Sequence, residues 1–169
     1  MKIKKILSLI LITIMLTACG KNKITIKISD DKHDFKVEEK EKYIEIKYQN
    51  KTFNLSNYEG ETKELVIIPG CTMDEDYISV TLLTSDNLYF IMLDDEDISS
   101  EENDFNFTLI SNSKNISKLD YNKDIERTNE ELLYCFRNVE IDYINGSKKT
   151  ILMSYDDNIK KIYHLVSFN

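Results

Sequence analysis

The most chemically suggestive spacing in this chain runs from Asp120 to Glu131. Oxygen side chains stand at Asp120, Asn122, Asp124 and Thr128, and Glu131 takes the twelfth place, the ligand spacing of an EF-hand calcium loop. A hard cation needs such oxygens to converge from one tight turn. Ile125, however, stands where that turn requires glycine, and Arg127 where an apolar residue is usual. The competing reading is the polar start of a short helix near 121–134, whose early carboxylates suit the positive end of the helix dipole. It predicts no bound metal, with Asp120, Asn122, Asp124 and Glu131 as the calcium candidates it displaces.

A second acidic tract, Asp94-Asp95-Glu96-Asp97 and on to Glu101-Glu102, follows a strand-like run. It lacks a fixed ligand spacing and reads as a solvated loop. The two histidines, His33 and His164, are far apart in the chain. His33 sits among Asp30, Asp31 and Asp34, where a single imidazole makes a poor zinc site. His164 is in phase with Ile162, Val166 and Phe168 on a final strand and reads as a hydrogen-bonded strand histidine. No nucleophile elbow, Walker loop, His-Glu-x-x-His or Gly-x-Gly-x-x-Gly is present. No catalytic residue and no cofactor are therefore expected, although distant carboxylates could still converge as a hydrolase pair.

The other informative residues lie at the start. Lys2, Lys4 and Lys5 precede an apolar run from Ile6 to Leu16, followed by Thr17-Ala18-Cys19-Gly20. Such a run is shorter than the roughly twenty residues a membrane-spanning helix needs, and has the layout of a secretory signal peptide. Leu16-Thr17-Ala18-Cys19 resembles the lipobox of bacterial lipoproteins. That resemblance implies cleavage of residues 1–18 and a diacylglyceryl group on Cys19. It also implies a location on the outer side of a bacterial membrane, or the outer membrane where one exists, since no aspartate follows Cys19. Two acyl chains anchor a protein stably where one does not.

Removing residues 1–18 takes away three lysines and no acids, so the formal charge becomes more negative than the −8 of the whole chain. Nucleic acid is excluded as a partner on that ground, because phosphate backbones repel such a surface. The membrane contact expected is the lipid on Cys19, with an extracellular protein or glycan as the possible partner. Of three cysteines, Cys71 and Cys135 remain, and an exported compartment permits a disulfide between them.

The elements that must position these residues read mostly as strands. Residues 19–42 form a charged, lipidated N-terminus that is either tether or first strand, with Ile24, Ile26 and Ile28 alternating with Thr25 and Lys27. From 43 to 169 the pattern predicts a single β-rich domain. Ile44, Ile46 and Tyr48 pair across Gln49-Asn50-Lys51 with Phe53 and Leu55. Glu64–Ile68 is a short strand stopped by Pro69-Gly70. Tyr77–Leu83 and Leu88–Leu93 form a hairpin apolar on both faces, and Phe105, Phe107 and Leu109 alternate along one strand. Val139–Tyr143 and Lys149–Tyr155 flank Asn145-Gly146, read as a type I′ turn, and Ile159–Phe168 completes the set. The fold predicted is all-β and mostly antiparallel: a meandering sandwich or partly closed barrel with at most one short helix. A membrane-anchored, non-enzymatic binding domain is the function expected, with a cell-envelope hydrolase or an immunity or exclusion lipoprotein as alternatives.

Overall fold

The computed structural model describes residues 24–29, 34–71, 76–121, 139–155 and 161–167. Strands dominate them: β1 (Thr25–Ile28), β2 (Phe35–Glu39), β3 (Ile44–Tyr48), β4 (Lys51–Ser56), β5 (Thr62–Cys71), β6 (Asp76–Thr84) and β7 (Asn87–Leu93). A short helix, α1 (Asp95–Ser99), precedes β8 (Asp104–Asn106), β9 (Thr108–Asn112), β10 (Ile116–Tyr121), β11 (Val139–Tyr143), β12 (Lys148–Tyr155) and β13 (Lys161–Ser167). Three open sheets result, with strand orders β1-β5-β6-β7-β9, β2-β3-β4-β8 and β10-β11-β12-β13. Pairing is antiparallel except between β1 and β5 and between β4 and β8. The fold is an all-β sandwich, and none of its sheets closes into a barrel.

The five-stranded sheet is the middle layer. Leu65, Ile67, Ile78, Val80, Leu82, Tyr89 and Ile91 face a first core shared with Phe35, Ile44, Ile46, Phe53 and Leu55 of the β2-β3-β4-β8 sheet. Val66, Ile68, Tyr77, Leu88, Phe90 and Met92 face a second core with Leu119, Val139, Ile141 and Ile151 of the β10–β13 sheet. Period-two alternation sends neighbouring residues to opposite faces, so a strand covered on both faces must be apolar throughout. That is why the β6–β7 hairpin reads as apolar on both sides.

Several elements differ from expectation for identifiable reasons. β5 runs through Pro69-Gly70 to Cys71 instead of stopping there. β1 ends opposite Ile67, leaving the rest of β5 with β6 as its only strand neighbour among the described residues, and an edge position tolerates proline. The Phe105–Leu109 alternation is two strands. β8 joins β4 while β9 joins β7, and the chain crosses between layers at the buried Phe107. Leu109 is consequently 59% exposed. Asn145 keeps a negative φ and only Gly146 is left-handed, so the β11–β12 connection is not type I′. It is a four-residue loop, Ile144–Ser147, in which the Asn145 carboxamide oxygen accepts the Ser147 backbone N–H at 3.0 Å.

The helix among the described residues lies in the acidic tract 94–102 that reads as a solvated loop. Asp94 caps it reciprocally: Asp94 Oδ1 accepts the Asp97 N–H and Asp97 Oδ2 accepts the Asp94 N–H, each at 3.2 Å. Tyr121 ends β10, and the remainder of the segment expected to be helical, 122–134, lies outside the described residues.

Candidate functional site

α1 stands at one end of the sandwich, where two lysines from different outer sheets grip it. Lys51, the first residue of β4, donates from Nζ to the Asp97 carbonyl at 2.6 Å and to the Ser100 carbonyl at 2.7 Å. Its ammonium lies 5.2 Å from the centre of the Phe53 ring. Carbonyls at a helix C-terminus carry the negative end of the dipole, so a cation there is stabilising. Lys161, the first residue of β13, reaches Asp94 Oδ2 at 2.5 Å, Asp97 Oδ2 at 3.4 Å and the Met92 carbonyl at 3.3 Å.

Electrostatics follow from those contacts. Burial raises the Asp94 carboxyl, and the Lys161 ammonium with the Asp97 N–H more than reverses this, leaving it below the ordinary carboxylate value. Burial likewise lowers Lys161, and Asp94 and Asp97 outweigh it, so the ammonium is held above the ordinary lysine value. An Asp94 carboxylate held ionised in this way is a poor proton donor at neutral pH. Asp94 and Asp97 act as fasteners for α1.

Beside this grip lies an open cleft of about 490 Å³ between the β3–β4 turn and the segment from Ile98 to Asn103. Gln49, Asn50, Thr52, Ser99, Ser100, Glu101 and Asn103 supply its polar lining, with Tyr48 and Ile98 as the apolar part. Gln49 takes φ 53°, which closes the two-residue turn between Tyr48 and Lys51. Amides, hydroxyls and one carboxylate can hydrogen-bond a polar ligand. Lys51 completes the lining.

The residues singled out by spacing are placed elsewhere. Asp120 lies on β10, where Lys118 Nζ is 3.2 Å from its carboxylate and the Tyr121 N–H donates to it at 3.0 Å. Burial raises Asp120, and these two donors with Lys27 bring it below its ordinary value. Lys118 also pairs with Asp142 at 3.2 Å, and Lys148 pairs with Glu140 and Asp142, forming a charge lattice across β10, β11 and β12. Among the described residues no group of three or more His, Cys, Asp or Glu side chains is gathered to hold a metal ion. Asn122, Asp124, Glu131, His33, Cys19 and Cys135 lie outside the described residues, and so does any Cys71–Cys135 bridge. His164 is exposed on β13, opposite in direction to Tyr163 and Leu165, which pack on the second core.

Lys51, Lys161 and the cleft residues carry no sequence signal as a group. Asp94-x-x-Asp97 could have marked the start of α1, because that spacing is a capping box. No protein-family model matches this chain, and neither a curated protein nor a solved structure matches it.

Proposed function

We propose that this chain is a lipid-anchored extracytoplasmic protein whose β-sandwich is a non-catalytic binding domain for an extracellular protein or glycan. The observation that carries this reading is Leu16-Thr17-Ala18-Cys19 behind a basic and then apolar leader, five residues before the first described residue, Ile24. The polar cleft beside α1 supports a binding role, since its groups suit hydrogen bonding. Intact mass of the membrane-extracted protein tests the anchor. A chain starting at Cys19 with a diacylglyceryl group is expected, and a mass retaining Met1 overturns the reading. Thiol alkylation before and after reduction reports Cys71 and Cys135 in the same sample, with protection until reduction expected for a bridge.

The acidic run beside the cleft favours a second reading, an exclusion or immunity lipoprotein that captures a basic partner. Binding that weakens steeply with added salt is expected for it. Salt-insensitive capture would leave only the first reading.

A further inference from the structure

The strand directions give the sandwich two unlike ends. β1 begins where β5 begins, opposite Glu64, and the same end holds the Ser85-Asp86 turn between β6 and β7 and the Asn57–Glu61 loop. Ser113 donates its N–H to the Asp86 carbonyl, and Ile144 donates to the Asn115 carbonyl, which brings the β11–β12 loop to this end too. At the opposite end lie the close of β7, α1 and the cleft, joined there by Lys161 at the start of β13.

We propose that the Cys19 anchor holds the sandwich end-on, with the Ile144–Ser147 loop against the lipid surface and α1 with its cleft pointing away. The proposal rests on the anchored reading above. From Cys19 to Ile24 there are five residue steps, which span at most about 18 Å when fully extended. β12 alone, with eight residues, is about 26 Å long at the usual strand rise. An inverted domain would therefore place the start of β1 out of the anchor's reach.

Two further observations agree with that direction. Ile144, 73% exposed, is more exposed than Ile26, Leu109 and Ile162, the other large apolar side chains that face solvent among the described residues, and it tips the end that β1 enters from. Charge is also divided. Asp94, Asp95, Glu96, Asp97, Glu101 and Glu102 crowd the α1 end against Lys51 and Lys161, whereas at the other Lys40, Lys42, Lys63 and Lys114 offset most of the charge of Glu39, Glu41, Glu59, Glu61 and Asp86, so the α1 end is the more acidic. Anionic headgroups repel an acidic end and leave it facing outward.

The chain contains no tryptophan, so a single introduced one reports its own position. Ile144→Trp and Glu96→Trp, each in the full acylated chain, are reconstituted in phosphatidylcholine vesicles carrying a dansyl headgroup acceptor. Energy transfer several-fold stronger from position 144 than from position 96 is expected. Equal transfer, or stronger transfer from position 96, overturns the end-on orientation while the anchor stands. Failure of the acylated chain to float with vesicles overturns the anchored reading, and the orientation with it. A Cys19→Ser chain that transfers as strongly as the acylated one would overturn the orientation's cause, because the lipid would then not be what holds the domain.

Discussion

Glu64 on β5 accepts the backbone N–H of Leu119 on β10 at 2.7 Å, so a side chain of the middle sheet closes the edge of an outer one. Lys27 on β1 donates to the Leu119 carbonyl and lies 3.7 Å from Glu64 Oε2. Both main-chain groups of one edge residue are thus satisfied by an ion pair from another layer. An exposed strand edge would otherwise offer unpaired groups to another chain.

Glu64→Leu strands the Leu119 N–H and leaves Lys27 without its carboxylate. A loss of about 1–3 kcal/mol is expected, the cost of an unsatisfied buried donor. Urea unfolding measures it, and Glu64→Gln, which keeps an acceptor oxygen, should retain most of the stability.

Thr81 sits in the middle of β6, fully buried, and among the described residues its hydroxyl has no hydrogen-bond partner. Replacing an unsatisfied polar group by an apolar one of the same shape removes a desolvation cost. Thr81→Val is expected to stabilise the protein by about 1 kcal/mol, read as a higher urea midpoint with an unchanged slope.

Gly70 pairs with Tyr77, and a Cβ built on Gly70 would lie 2.1 Å from Tyr77 Cζ. The ring is buried in the second core and cannot simply swing out. Gly70→Ala is therefore expected to cost about 1–3 kcal/mol by overpacking. Adding Tyr77→Leu should make the second change cheaper than in the wild type, a coupling visible in a double-mutant cycle.

The Lys161–Asp94 pair predicts a pH-dependent stability with opposite signs at the two extremes. Asp94 ionises below its ordinary value of 3.8 in the folded protein, so its contribution is full above 3.8 and lost as the pH falls through the lowered value. Lys161 is raised above 10.5, so its contribution is full below 10.5 and lost as the pH rises through the raised value. Lys161→Met should cost about 1–2 kcal/mol at neutral pH, between exposed and buried pairs. Unfolding curves across pH should show the gap to wild type narrowing at both extremes.

The local pattern alone carried much of this fold. Alternation marked β3, β4 and β11, because a residue's side of a strand is set by its parity, and two apolar runs about a polar turn marked the β6–β7 hairpin. The doubly apolar hairpin even announced a sheet covered on both faces. β2 and β10 were not legible, since Phe35 and Val37 are the only apolar residues of β2, and β10 mixes Leu119 with lysine and aspartate. Their register is held by β3 and by β11, strands whose pairing no local window contains.

What the sequence determined by itself is the strand content and the turn glycine at Gly146. Each depends on neighbouring residues. Only the tertiary structure decided that Phe105 and Leu109 belong to different layers, and that five acidic-tract residues form a helix. A five-residue helix makes too few internal bonds to stand alone. Lys51 and Lys161, 110 positions apart, supply the charges that hold it, and only folding brings them to its two ends.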